Sequence, residues 1–306
     1  MEHCLPFLET ENNNLNSNYR VQIIGCGAVG SYLAYELSKS NTDIFFVDHR
    51  QNEKFYNTEH EFNILGNWYT FKKRSNISTN CHFTFVCVKS YDFKLEYLPS
   101  LVKTDSQVVF IQNGFSLYSK IEKSSERFIF ANLASLDVSL NRKTLLIKSQ
   151  NSKFLYAENR TVPISQKINN LFKESSIEVK NFESYLEVLQ AKYPRWLLTC
   201  LLTITFCDTL DIALKKVDTD KFNLVKQDLV VLLKEVLNLN FNDLEIQNQL
   251  KNLPPDFTPS AYRDYIKGKE SEFFVEINYL IAKGKEKRVP ISNLTSWLEE
   301  MNCLNQ

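Results

Sequence analysis

The chain has 306 residues, 43% of them hydrophobic and 24% charged, which is enough for two cores in a globular protein. Its 36 Lys and Arg balance 36 Asp and Glu. That leaves no positive field to hold nucleic acid or an anionic membrane, and neither is an expected partner. Seven scattered cysteines without a CxxC, and four histidines (His3, His49, His60, His82) without ligand spacing, predict a reducing cytoplasm and no metal.

In chain order, residues 1–18 lack a basic start and a long apolar run, so they read as a mobile leader and not as a signal peptide. From residue 19 to 180, short β-rich runs alternate with helical or polar segments. "VQIIG", "DIFFVD", "FTFVCVK", "VVFIQNG", "RFIFANL", "TLLIKS" and "KFLYAE" are the predicted strands. The first two flank a helical pattern in which Leu33 and Leu37 are four apart, a βαβ unit that calls for a parallel sheet. The later strands lack clear intervening helices, a pattern that also suits antiparallel pairing. From residue 181 to 306 the pattern is helical throughout: "VLQAKYPRWLLTCLLTITFCDTLDIAL", "DKFNLVKQDLVVLLKEVLNLNF", "SEFFVEINYLIAKGKEK" and "SNLTSWLEEM", interrupted by the proline-marked "KNLPPDFTPSAYRD". The most apolar stretch, Trp196 to Cys207, has 12 residues, against the roughly 20 a membrane span needs. It reads as a buried helix. The expected fold is therefore α/β: a Rossmann-type dinucleotide-binding domain (19–180) followed by an all-helical domain (181–306).

Only seven glycines occur, and three of them, Gly25, Gly27 and Gly30, fall within six residues between the first strand and the first helix. In this setting the first permits a tight turn, the second lets a pyrophosphate approach the backbone, and the third lets helix and strand pack closely. The loop Gly25, Cys26, Gly27, Ala28, Val29 and Gly30 is the expected diphosphate cradle, assisted by the helix dipole. Asp48, 18 positions beyond Gly30, suits the ribose hydroxyls of NAD(H), or is simply a strand-end carboxylate facing water. His49 and Arg50 follow at once, and an arginine there can clamp the 2′-phosphate of NADP(H). The sequence leaves that choice open.

With these motifs the chain resembles the ketopantoate reductase (2-dehydropantoate 2-reductase) family. "GCGAVG" is similar to its opening fingerprint, and "VCVKSYD" places Lys89 where the family has a lysine near the cofactor. "IQNGF" resembles its Asn-Gly turn, giving Asn113 and Gly114. "PSAYRDYIKGKESEF" is similar to its serine, aspartate, glycine and glutamate series at Ser260, Asp264, Gly268 and Glu272. "KRVPIS" resembles its terminal Gly-Val-Pro-x-Pro, with Arg288 and Ser292 departing from it. The resemblance implies a 6-phosphogluconate dehydrogenase-like arrangement of two domains. It also implies hydride transfer to the C2 ketone of ketopantoate, NADP(H) as the favoured cofactor with NAD(H) admitted by Asp48, a cytoplasmic location, and a homodimer as an allowed assembly. The family's Trp-x-Lys-Leu-x-x-Asn-x-x-x-Asn is replaced by "YPRWLLTCLLT", so Tyr193, Arg195, Thr199 and Thr203 stand for the tryptophan, the lysine and the two asparagines.

Residues 195, 199 and 203 share one helix face. Arg195, in the first turn behind Pro194, is suited to a substrate carboxylate; the alternative is an arginine reaching out to water above threonines bonded to their own helix. The expected catalytic residues are Arg195, Glu272 and Lys89. The expected substrate contacts are Thr199, Thr203 and Ser260, and Lys89, Asn113 and Glu272 are expected near the cofactor. Arginine holds its proton too tightly to be an acid near neutrality, so the proton is expected from water or from a nearby lysine, Lys89 or Lys192. Lys89 is favoured because its position matches the family, Lys192 reads more readily as a solvated surface residue, and Glu276 is the reserve for Glu272. The expected function is reduction of a small 2-oxo acid. The alternatives are a different 2-oxo acid, or a non-catalytic dinucleotide sensor or scaffold.

Overall fold

A computed structural model describes residues 19–47, 58–148, 151–157, 164–241 and 243–304. The leader and Asp48, His49 and Arg50 lie outside the described residues. The first half is one eleven-stranded sheet. Its centre is built from β1 (Tyr19–Ile24), β2 (Thr42–Val47), β5 (Phe83–Val86), β6 (Gln107–Ile111) and β7 (Phe128–Ala134). β2 and β5 flank β1 in parallel, and β6 and β7 continue the parallel array beyond β5. β5 and β7 are buried along their whole length, which is why their sequences are mostly apolar on both faces, interrupted only by the buried Thr84 and Asn132. After β1 the chain proceeds outward to β2, then returns to β5 on the other side. The strand order reverses there, and the crevice beyond the strands' C-terminal ends is where an α/β sheet of this kind holds its ligand.

One hairpin was not visible in the sequence. β3 (Glu59–Ile64) and β4 (Asn67–Arg74) pair antiparallel, and β4 then joins β2 in parallel. The turn places Leu65 and Gly66 at φ 49° and 90°, with the Leu65 side chain 96% exposed. A leucine at a left-handed turn position is unusual, so the hairpin lacks its customary Asn-Gly mark. At the other edge, β10 (Lys153–Ala157) runs antiparallel to β7, and β11 (Glu178–Phe182) is parallel to β10. β8 (Val138–Asn141) and β9 (Thr144–Ile147) form a second hairpin attached to β3.

Helix α1 (Ala28–Leu37) and α4 (Ser165–Phe172) pack on one face of the sheet, burying Leu33, Leu37, Ile168 and Phe172. The other face carries α2 (Leu98–Lys103) and α3 (Ser116–Ile121). From it the apolar packing continues through α5 (Tyr185–Gln190) into the helical half. There α6 (Tyr193–Phe206) is central: Leu197, Leu198, Cys200, Leu201, Leu202 and Ile204 are all but inaccessible to solvent. Around it stand α7 (Leu210–Lys216), α8 (Thr219–Leu237), α9 (Asp243–Lys251), α10 (Ser260–Tyr265), α11 (Glu272–Glu286) and α12 (Ser292–Leu304). Among the described residues no single helix is long and apolar enough to cross a membrane.

The long helical pattern around residues 188–214 is broken twice, for local reasons. Pro194 lies in the first turn of α6, where its missing N–H costs nothing. Cys207 ends α6 in the left-handed region at φ 50°, and the N–H of Asp208 reaches back to the Thr203 carbonyl. Because Leu202 is fully buried in the central helix, Leu202→Ala should lower unfolding free energy by about 2–5 kcal/mol in a urea titration. A loss below about 1 kcal/mol would show that the helical half packs differently.

Candidate active site

The glycine loop closes β1 onto α1, and the three glycines have three different surroundings. Gly25 sits at φ 112°, and a Cβ there would lie 2.9 Å from Val88 and 3.0 Å from the Cys87 backbone. At Gly30 a Cβ would lie 2.1 Å from the Gly25 carbonyl oxygen. At Gly27 a Cβ would meet nothing within 4 Å. The outer two glycines are demanded by backbone packing, and the middle one faces open space. Gly27 also caps α1, with no side-chain cap and no acidic residue in the first turn. The amides of Ala28, Val29 and Gly30 thus start a helix whose positive end is left to an outside anion. A dinucleotide diphosphate fits that cradle. Cys26 is half-buried within the loop.

A polar cluster stands at the C-terminal ends of β5 and β6. Lys89 follows β5, Asn113 follows β6, and Glu272 opens α11 from the helical half. The Lys89 ammonium donates to the Glu272 carboxylate at 3.0 Å and to the Ser260 hydroxyl at 3.4 Å, with Asp264 at 3.5 Å. Asn113 Nδ2 donates to the same Glu272 oxygen at 3.0 Å, and the Ser90 amide reaches the other at 3.4 Å. Glu272 is only 3% exposed. Burial pushes its carboxyl up, but the Lys89 charge, the Asn113 and Lys89 hydrogen bonds and the Ser90 amide outweigh that, leaving it below its ordinary value. For Lys89 burial opposes the charge, and Glu272 and Asp264 reverse it, so the ammonium holds its proton more tightly than usual. That argues against Lys89 as the proton source. Two buried atoms beside the cluster, Ser90 Oγ and Gln112 Oε1, have no partner among the described residues.

Glu276, one turn along α11, is fully engaged. It accepts from the Phe115 amide at 2.8 Å, the Ser116 amide at 3.2 Å, the Tyr193 hydroxyl at 2.7 Å and the Ser116 hydroxyl. A Cβ at Gly114 would lie 2.0 Å from its carboxyl carbon. Glu276 therefore holds the Asn113-Gly114 turn against α11, and it is no reserve for Glu272.

On α6 the structure alters two expectations. The Thr199 and Thr203 hydroxyls donate to the carbonyls of Arg195 and Thr199, at 2.7 and 2.8 Å, and both residues are buried. Their protons are spent inside the helix and are not available to a substrate. Lys192 is not a solvated surface residue. Its Nζ donates to Asn113 Oδ1 at 2.9 Å, Asn132 Oδ1 at 2.8 Å and the Leu133 carbonyl at 2.9 Å. Burial, reinforced by the nearby Arg195 charge, brings its pKa down to about 7. Arg195 is partly buried, and its guanidinium has no hydrogen bond or ion pair among the described residues. Sequence reasoning missed Asn132 too, although an asparagine inside the buried strand "FIFANLA" was a usable signal.

Glycine loop, reversal of strand order and a polar cluster bridging sheet and helices define a dinucleotide-binding α/β protein of the oxidoreductase class. More particularly, the family described as "Ketopantoate reductase PanE/ApbA" matches residues 21–148. Members are NAD(P)H-dependent oxidoreductases acting on a CH–OH group. Among solved structures, a probable 2-dehydropantoate 2-reductase from Bacillus subtilis is 16% identical, with a TM-score of 0.74 over 93% of this chain and 99% of that one. A dimeric ketopantoate reductase from Staphylococcus aureus is 14% identical, with a TM-score of 0.70 over 93% and 98%. D-mandelate dehydrogenase with NADH and anilino(oxo)acetate is 17% identical, with a TM-score of 0.76 over 93% and 97%. These are likenesses of fold. No curated protein matches the chain.

Gly27→Ala should melt like the wild type yet bind reduced dinucleotide more weakly in a fluorescence titration, because its methyl enters open space over the loop. Gly30→Ala should lower the melting temperature itself, since the loop backbone cannot yield without repacking α1.

The buried ion pair carries a pH signature. The depressed Glu272 adds stability above about pH 4.3, lost as pH falls through its folded pKa; the raised Lys89 adds stability below about pH 10.4, lost as pH rises through its folded pKa. Lys89→Met should therefore be less stable than wild type near neutrality, by less than the roughly 3–5 kcal/mol of a fully buried pair, because Lys89 keeps some exposure. The deficit should shrink in acid as Glu272 protonates. A deficit independent of pH would mean that Lys89 acts by packing alone.

Proposed function

We propose that the chain is an NAD(P)H-dependent reductase of a small 2-oxo acid, with 2-dehydropantoate (ketopantoate), reduced to pantoate on the way to pantothenate and coenzyme A, as its substrate. The observation that carries this reading is the Lys89–Glu272–Asn113 cluster on the strand ends beside an open glycine cradle. When bound, the nicotinamide supplies the hydride. The rest of the work falls to the chain's own residues. Gly27 and the first turn of α1 hold the diphosphate. Glu272, fixed by Lys89 and Asn113, stands as an ionised acceptor for a ribose or substrate hydroxyl. Ser260, already beside Lys89, offers a hydroxyl from α10. Arg195 supplies a permanent positive charge that holds the substrate carboxylate and stabilises negative charge growing on the ketone oxygen. The assembly proposed is a homodimer.

A second reading keeps the chemistry and changes the acid. Thr199 and Thr203 are shorter than the asparagines they replace and direct their hydroxyl protons into α6, so the polar contacts those asparagines imply are changed on this helix face. A fold neighbour is described with NADH and anilino(oxo)acetate, so an aryl 2-oxo acid belongs in the test. Purified protein should oxidise NADPH or NADH with ketopantoate, each cofactor supplied separately and followed by loss of reduced-nicotinamide absorbance. Turnover only with an aryl 2-oxo acid would establish the second reading, and tight cofactor binding without turnover of either would establish the non-catalytic one. Arg195→Ala should lower kcat by about 100-fold or more while leaving cofactor affinity nearly unchanged. Small, equal effects on both would remove Arg195 from the mechanism.

A further inference from the structure

The position that resembles the family's lysine is occupied by Arg195, which cannot release a proton near neutrality, and Lys89 is locked in its ion pair. We propose that Lys192, three residues before Arg195 and at the start of α6, is the general acid of this chain, donating a proton from Nζ to the oxygen of the reduced ketone. The assignment rests on the reductase reading above and reverses the order of the two lysines that the sequence offered as proton sources.

The geometry supports it from three sides. First, Nζ lies at the ligand end of the sheet. Its acceptors are Asn113, Asn132 and the Leu133 carbonyl, which belong to the end of β6 and to β7. Second, the two amides are pre-oriented. Asn113 Nδ2 is held by Glu272 at 3.0 Å and Asn132 Nδ2 by the Gln112 carbonyl at 2.7 Å, so both turn their oxygens toward Lys192. The ammonium thus joins the chain Ser260–Lys89–Glu272–Asn113–Lys192, which spans sheet and helical half. Third, its electrostatic surroundings favour release. Arg195 and Cys200 face it from its own helix, Glu272 from α11 and Lys89 from the end of β5. Burial and the two cations lower its proton affinity, Glu272 and Cys200 work the other way, and the balance falls at about 7. Other donors nearby fail this test. Tyr193 is tied to buried Glu276, and Cys200 is buried among apolar groups; burial pushes both well above their ordinary values.

The step balances simply. Once the carbonyl carbon has accepted hydride, one Lys192 N–H bond breaks as the O–H bond of the product forms, and the electron pair stays on Nζ. The neutral amine regains its proton from water. One of the three present hydrogen bonds passes to the substrate oxygen for this, and the other two keep the amine in place.

The test uses the full-length chain with reduced nicotinamide and the 2-oxo acid that the wild type turns over. Lys192→Met should lower kcat by about 100-fold or more while the protein stays folded and cofactor affinity stays near wild type, some melting temperature being lost with the three acceptors left unpaired. Lys192→Arg keeps charge and hydrogen bonds but not a releasable proton, and it should lose kcat as severely. In the wild type kcat should fall as pH rises through about 7, because the ammonium is the active form, and neither variant should show that limb. Competitive acetylation of the unmodified protein supplies a second readout that does not depend on a folded variant: Lys192 should titrate near neutrality. Either variant retaining kcat within about threefold together with the pH limb would overturn the assignment while leaving the reductase reading intact, as would an ordinary lysine titration. Failure of the wild type to turn over any 2-oxo acid would overturn both.

Discussion

Glu272 opens a helix from one half of the chain and is buried against strand ends from the other, and a carboxylate so placed must find compensating charge or lose its own. Lys89 supplies the charge, and Asn113 and the Ser90 amide fill further acceptor positions. The consequence is more than local. The loops after β5 and β6 and the first turn of α11 are fixed relative to one another, and the crevice between them has a defined shape. Glu276 repeats the device one turn later, with its acceptors satisfied by the backbone before α3 and by Tyr193. Two buried carboxylates on one helix edge thus align the helical half with the nucleotide-binding sheet.

That alignment decides what the α6 residues can do. Arg195 and Lys192 are one helical turn apart, yet their circumstances differ. The guanidinium has no partner among the described residues and keeps its charge, whereas the ammonium has three acceptors and a weakened hold on its proton. In the proposed reading, two neighbouring cations of unequal proton affinity serve as anchor and donor from a single turn. A single lysine would have to combine the two roles.

Much of this was legible in the chain itself. The spacing of Gly25, Gly27 and Gly30 between an apolar run and a helical pattern pointed to the nucleotide loop, because the outer two answer backbone constraints and the middle one keeps the space above the loop clear. Arg288 shows the same logic in reverse: it occupies a position where the resemblance has glycine, and its φ is 59°. The β3–β4 hairpin escaped because its turn carries Leu65 instead of a customary turn residue. Asp48, His49 and Arg50, from which the sequence left cofactor choice open, fall outside the described residues.

What the sequence by itself determined was periodicity and local backbone demand: a parallel sheet, a glycine cradle, a helical second half, and a short list of polar residues worth watching. Such features depend on neighbours within a few positions. Tertiary structure alone decided which of those polar residues meet. Lys192 reads as an ordinary lysine ahead of a proline, and only folding brings it to Asn113, 79 positions away, and Asn132, 60 away. The threonine hydroxyls point into their own helix for a similar reason: a hydrogen bond depends on where a side chain lies in space, and proton affinity depends on the burial and charge around it, neither of which is encoded by spacing along the chain.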